Sequence, residues 1–265
     1  MSARLQEIAR RTVAIAEAGS YRTEAGAEVD IADAVRAAIA GTRLYLPDEP
    51  LTPIGPEAKP TIEVTHESTL VAARRVGPHA AALNFASAKN PGGGFLGGAK
   101  AQEESIARSS ALYPCLLTAA EFYEFHRTQR DLRYSDRVIF SPGVPVFRDD
   151  KGRLLDSAYQ TSFLTAAAPN LGAIRRNQPD DVGDVPTVIL RRARRVLEVA
   201  AAHGQRVLVL GAWGCGVFRN EPAVVADAFA DALTAVPYFD HVVFAVLDPL
   251  PHTPVYAAFA QRFAT

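Results

Sequence analysis

The chain has 265 residues, 48% of them hydrophobic and 22% charged, with a net charge of −1. This is the composition of an ordinary globular protein with room for one large domain or two small ones, and its near-neutral charge excludes a broad basic face for nucleic acid or anionic membrane. No apolar run is long enough to span a bilayer, the opening MSARLQEIARR is amphipathic rather than a secretory signal, and two distant cysteines, Cys115 and Cys215, point away from a disulfide or zinc scaffold and toward a reducing, cytoplasmic setting.

Residues 3–18 carry Leu5, Ile8, Ala9, Thr12 and Ile15 on one stripe, which predicts a helix ending at Gly19. A second helix is expected from Asp30, as N-cap, to Ala40, with Gly41 as its stop. Residues 46–60, LPDEPLTPIGPEAKP, are rich in proline and acid and mark the best boundary in the chain. An extension of residues 1–60 and a main unit of residues 61–265 are therefore expected.

Beyond that boundary strands and helices alternate. Strands are predicted at 61–66, 79–85, 137–142, 162–169, 206–214 and 241–248. Helices are predicted at 68–77 with Ser68 as cap, from Gln102 toward Tyr113, and at 121–129, 184–204, 221–236 and 254–263. Short apolar strands between helices imply an α/β sandwich with its sheet covered on both faces.

Two glycine loops each follow a predicted buried strand and precede a predicted helix: NPGGGFLGGAKAQEE (90–104) and GAWGCGVFRNEP (211–222). That context suits phosphate, because converging N–H groups and the positive end of a helix meet there. The first loop does not fit a Walker A motif, since Ala99 precedes Lys100 and Ala101 replaces the hydroxyl residue. Gly92, Gly94 and Gly97 satisfy G-x-G-x-x-G, but no acidic residue ends a second strand about 20 residues on. A tight loop with no ligand is the remaining alternative. Elsewhere, RRARR (191–195) reads as a solvated basic face, Asp149, Asp150 and Lys151 read as a surface turn, and the six histidines show no metal-ligand spacing.

The triple glycine Gly92–Gly94, seven intervening residues and Gln102-Glu103-Glu104 resemble the signature of poly(ADP-ribose) glycohydrolases. NFASAKNPGGG, YSDRVIFSPGVPVFRDD, APN and VLGAWGCGVFRNEP extend the similarity to the bacterial-type branch over most of residues 61–248. The resemblance implies a macrodomain-like three-layer α/β/α sandwich with a mixed sheet, preceded by an N-terminal helical extension. It implies hydrolysis of the ribose–ribose bonds of poly(ADP-ribose) from the free end, releasing ADP-ribose, with poly(ADP-ribosyl)ated proteins as partners and no cofactor or metal. Reversal of ADP-ribosylation in a bacterial DNA damage response follows as an expectation, as do a monomer, no direct DNA or RNA binding and no membrane.

Carried onto this chain, the resemblance makes Glu104 the acid for the leaving 2′-oxygen and Glu103 the residue that positions the neighbouring ribose. Gly92, Gly93 and Gly94 would cradle the ribose and adjoining phosphate, Asn90 would contact ribose hydroxyls, and Gln102 would join them in binding substrate. Gly214, Cys215, Gly216 and Val217 would offer amides to phosphate, and Phe218 would pack against the ribose. Independently of the family, adjacent glutamates at a helix start diverge by about 100°, so they cannot face each other across a sugar as a nucleophile and acid pair does. A reader without catalysis, a mono-ADP-ribosyl hydrolase and a nicotinamide-dependent oxidoreductase are the competing functions.

Overall fold

The structure, a computed structural model, describes residues 2–264. Met1 and Thr265, the outer ends of the two expected units, lie outside the described residues. Helix α1 (Ala3–Ala18) stops where expected, at Gly19, whose φ of +72° lies in the left-handed region and whose N–H donates to Ile15 O at 2.9 Å. A hairpin of β1 (Ser20–Arg22) and β2 (Glu28–Asp30) follows. Three-residue strands carry no periodicity, so this element was invisible to pattern. Asp30 Oδ1 then accepts from Ala32 N–H at 2.8 Å and opens α2 (Ala32–Gly41).

Strand β3 (Arg43–Tyr45) comes next, then the proline-rich stretch, β4 (Thr61–Thr65), α3 (Thr69–Val76) and β5 (Ala80–Phe85). Ser68 Oγ accepts from Val71 N–H at 3.2 Å, the expected cap of α3. The single helix expected from Gln102 to Tyr113 is two: α4 (Gln102–Ser109) and α5 (Leu112–Thr118). Between them Ser110 is extended and bridges Val146, and Ala111 N–H donates to Pro145 O at 2.9 Å. Helix α6 (Ala120–Thr128) completes this group.

Strands β6 (Val138–Arg148) and β7 (Leu154–Ala166) form a hairpin much longer than the sequence suggests. The prolines explain the shortfall. β3 pairs only with residues 138–140 of β6, so Pro142 and Pro145 sit beyond that ladder, where the neighbouring chain takes the Pro145 carbonyl and no ladder donor is missed. The chain closes with α7 (Leu171–Asn177), α8 (Val185–Ala202), β8 (Val207–Leu210), α9 (Pro222–Ala235), β9 (His241–Ala245) and α10 (Pro254–Arg262).

Seven strands make one mixed sheet in the order β3-β6-β7-β5-β8-β9-β4, with β7, β5, β8, β9 and β4 parallel. Its edge strand β3 therefore precedes the proline-rich stretch. Along β5, Ala81 and Leu83 face a core shared with α8 and α9, whereas Ala80 and Ala82 face a core shared with α2, α3 and α5. This alternation produces the two-sided apolar run and the layered helix–sheet–helix arrangement.

The basic run on α8 is solvated at Arg191 and Arg194 but buried at Arg192 and Arg195. Arg192 is fully buried, with Nε on Asp136 Oδ1 at 2.9 Å and Nη1 on Ala167 O at 2.6 Å, and Arg195 is buried with Nη2 on Leu46 O at 2.5 Å. Asp136, which Arg191 also pairs, is held below the ordinary carboxylate range by these two guanidinium groups, against the opposing effect of burial. A buried ion pair of this kind is costly to break rather than a source of net stability. Its place here is structural: it fixes the chain just beyond β7, beneath the second glycine loop.

Candidate active site

The two glycine loops leave the C-terminal ends of neighbouring parallel strands, β5 and β8. Register matters here. β8 pairs with β5 only through Ala80, Ala81 and Ala82, so the strands part beyond Ala82 and leave backbone groups of β5 without a partner on that side. Gln102 fills the gap: Phe85 N–H donates to its Oε1 at 2.8 Å and its Nε2 donates to Leu83 O at 2.7 Å. A side-chain amide thus stands in for a strand residue, and Thr69 Oγ1 takes a further bond from Nε2 at 3.1 Å. A crevice between parting parallel strands is where ligands bind in open α/β sheets.

Gln102 fixes the start of α4, and with it the two glutamates. Glu103 is 2% exposed. Its Oε2 accepts from Ser87 N–H at 2.6 Å and its Oε1 from Asn84 Nδ2 at 3.3 Å. Asn84, fully buried on β5, also donates to Thr165 Oγ1 at 3.2 Å. Glu104 accepts from Gly94 N–H through Oε1 at 3.0 Å, and its Oε2 is buried with no protein partner among the described residues. Side chains that diverge at the helix therefore reach the same piece of loop from two sides. A Cβ built on Gly93 would lie 3.0 Å from Glu104 Cδ and 3.1 Å from Glu103 Oε2.

The glycines are required for this closure. Gly92 and Gly93 have φ of +67° and +60°, which L side chains rarely adopt. Two of the loop's amides are spent within it: Gly93 N–H donates to Asn90 O at 3.0 Å, and Gly94 N–H holds Glu104. The first loop thus wraps the acids. Asn90 is exposed, and its own N–H donates to Ser87 Oγ at 3.2 Å. The G-x-G-x-x-G reading does not survive: Gly97 lies in a 3-10 turn (Phe95–Gly97), and α4 begins only at Gln102.

The second loop is the opposite in character. Asn220 closes it, its N–H donating to Gly214 O at 3.1 Å and its Nδ2 to Pro169 O at 3.0 Å. Cys215 N–H is spent on Ala212 O at 3.1 Å. The amides of Gly214, Gly216, Val217 and Phe218 have no protein acceptor among the described residues. Burial, with Glu221 adding to it, pushes the Cys215 thiol up to about 12, so it is no thiolate nucleophile. Phe218 is half-buried, its ring 6.1 Å from that of Tyr134. Tyr134 sits at φ +60°, an uncommon conformation for a residue with a side chain. Sequence reasoning missed Asn84, Ser87 and Tyr134. Only Asn84 gave a signal, as a polar residue inside the apolar run AALNFA.

A cavity of about 420 Å³ lies behind Tyr134, between Arg133 and Arg191, whose guanidinium groups are already paired with Asp131 and Asp136. Among the described residues no group of three or more His, Cys, Asp or Glu side chains is arranged to hold a metal.

Burial pushes the Glu103 carboxyl up to about 8, overriding the Ser87 and Asn84 hydrogen bonds. The ordinary value is 4.5, so the folded protein binds this proton more tightly than the unfolded chain does. The resulting stability is complete below that ordinary value and is lost as pH rises through about 8. Glu103→Gln is neutral at every pH. Its melting temperature should match that of the wild type near about pH 5 and exceed it by several degrees near about pH 9. Thermal scans of both proteins across that range test this, and parallel curves would show that Glu103 is ionised in the fold.

A mixed α/β fold with two loops at parting strand ends, one enclosing a carboxylate pair and the other offering free amides, makes a site suited to a phosphate-bearing sugar. The family model described as microbial-type PARG, catalytic domain, matches residues 9–149. Poly(ADP-ribose) glycohydrolase (PARG) from Thermomonospora curvata superposes with a TM-score of 0.92 at 50% identity, covering 99% of this chain and 100% of that one. The same organism's enzyme bound to the inhibitor ADP-HPD gives 0.90 at 49% identity, over 99% and 100% of the two chains. The enzyme from Deinococcus radiodurans in complex with ADP-ribose gives 0.80 at 45% identity, over 86% of this chain and 96% of that one. A comparison with curated protein sequences finds no significant match. The chain belongs to the microbial-type poly(ADP-ribose) glycohydrolase family.

Proposed function

We propose that the chain hydrolyses the ribose–ribose O-glycosidic bonds of poly(ADP-ribose) from the free end of the polymer, releasing ADP-ribose. The observation that carries this reading is Glu104: one oxygen is fixed by Gly94 N–H at 3.0 Å, and the other is buried with no partner among the described residues. A buried carboxyl oxygen with no partner is an unmet demand for a hydrogen bond. The leaving 2′-oxygen of the scissile bond is the group that meets it.

In the proposed reaction Glu104 donates its proton to the leaving 2′-oxygen as the bond to the anomeric carbon breaks. The carboxylate left behind takes a proton from water, whose oxygen attacks the anomeric carbon, so the acid is restored within one turnover. Glu103 orients the adjacent ribose while locking the loop through Ser87. Gly214, Gly216, Val217 and Phe218 supply amides to the diphosphate as one macrodomain-like cradle, and the Phe218 ring packs on the ribose. Asn90, exposed at the loop entrance, meets sugar hydroxyls. Gln102 serves as the strut that holds α4 on β5, since both ends of its amide are taken.

Poly(ADP-ribosyl)ated proteins are the proposed partners, met by a monomer in the cytoplasm during reversal of ADP-ribosylation after DNA damage, with no direct contact to DNA or RNA. No helix is long and apolar enough to cross a membrane among the described residues. Polymer labelled at its free end, and separately at its protein-attached end, tests the reading by mass analysis of soluble products. Free ADP-ribose carrying the free-end label should appear first. Release of oligomers first would make the action internal, and cleavage of mono-ADP-ribosylated protein alone would make this a mono-ADP-ribosyl hydrolase.

A further inference from the structure

We propose that helix α1 braces the active-site loop, with Gln6 and Thr12 as positioning residues that hold the first glycine loop in place over Glu103 and Glu104. This rests on the reading of Glu104 as the acid. The loop needs an outside support, because most of its residues have no side chain with which to hold themselves. Within Gly92–Gly98 the side chains are those of Phe95 and Leu96, and only Phe95 is buried.

α1 supplies that support along its length. At its start, a Cβ on Gly98 would lie 2.7 Å from Ser2 O and 3.1 Å from Gln6 Cγ, so the loop backbone rests directly on the helix. One turn on, Gln6 Nε2 donates to Gly97 O at 3.1 Å. Next, Ala9 packs with Phe95 and Ala107 in a small cluster separate from the two main cores. Finally Thr12 Oγ1 donates to Arg108 O at 2.6 Å and accepts from Arg148 Nε at 2.9 Å, which ties α1 to α4 and to β6. Arg108 Nη1 completes the circuit on Ala99 O at 2.6 Å.

The loop is therefore gripped at Gly97 by α1 and at Ala99 by α4, and α4 is itself gripped by α1. The acid lies inside this circuit, because Gly94 N–H, three residues before Gly97, is what holds Glu104 Oε1. Loosening Gly97 frees the donor that aims the acid. Misplacement of a catalytic group by about 1 Å can cost as much as about 10²-fold in rate.

Gln6→Leu removes the bond to Gly97 while keeping a good helix former. Arg4→Ala is the control, since its guanidinium ties α1 to Lys151 O, away from the loop. We expect Gln6→Leu to lower kcat about tenfold with KM within about twofold, to raise amide exchange across residues 93–98, and to leave the melting temperature and the exchange of the sheet unchanged. Arg4→Ala should change neither rate nor loop exchange, and Gln6→Lys, which returns a donor to Gly97 O, should recover most of the rate. Unchanged loop exchange in Gln6→Leu overturns the brace whatever the wild-type activity, and so does a loss of protection spread evenly over the sheet. A wild type inactive on poly(ADP-ribose), with loop exchange still raised in Gln6→Leu, would overturn the function proposed for the site and leave the brace standing.

Discussion

Glu104→Gln will lower the rate of ADP-ribose release by about 10²- to 10⁴-fold, the span that positioned proton transfer contributes. The substitution changes little else. Glutamine keeps an oxygen in place of Oε1, so the bond from Gly94 N–H at 3.0 Å survives and the loop stays closed. What is lost is the proton that, in the proposed reaction, Glu104 delivers. Affinity for ADP-ribose should therefore stay within about threefold, since binding and chemistry are separated by this one change. Single-turnover assays on poly(ADP-ribose), paired with calorimetric titration of ADP-ribose, make the comparison. A residual rate within tenfold of wild type would move the acid away from Glu104. Equal losses of rate and affinity would mean that the loop, not the proton, had been damaged.

The choice of Glu104 over Glu103 as the acid came from the family resemblance of the first loop, because a glycine run and two carboxylates within 15 residues leave open which glutamate reaches the leaving oxygen. Alternating strands and helices carried the layered fold. What escaped depended on places distant in the chain. The strand-completing bonds of the Gln102 amide were not legible, because β8 parts from β5 after Ala82 and no local pattern records where two strands separate. The break between α4 and α5 has the same origin, since Ser110 is drawn into an extended form by the open edge of β6.

The basic run on α8 is a different case, because its burial was legible. Val188, Ile189, Arg192, Val196 and Val199 recur at helical spacing, so Arg192 lies within the apolar stripe that α8 turns to the sheet. Charge alone suggested solvent, whereas spacing placed the side chain inside. A buried arginine then requires a carboxylate, and Asp136 supplies it from 56 residues away. The partner, not the burial, was the part that only the fold could reveal.

Gly93→Ala should be nearly as damaging as loss of the acid, for a reason that a backbone-matched control isolates. Gly93 adopts φ +60°, where a side chain costs about 1–2 kcal/mol. That cost alone would leave a folded enzyme. The added methyl, however, would press on both carboxylates, at 3.0 Å from Glu104 Cδ and 3.1 Å from Glu103 Oε2. Glu103 cannot retreat, being 2% exposed and bonded to Ser87 and Asn84, so Glu104 or the loop must move. Either motion separates the acid from the sugar, and hydrolysis should fall by about 10²-fold or more. Gly26→Ala imposes the same kind of strain, at φ +85°, in the β1–β2 turn, where an added Cβ meets nothing within 4 Å. Both variants should lose about 1–2 kcal/mol of stability by denaturant titration, and only Gly93→Ala should lose activity. Activity retained in Gly93→Ala would mean that the carboxylates tolerate displacement, and the close fit of loop to acids would then not be what sets the rate.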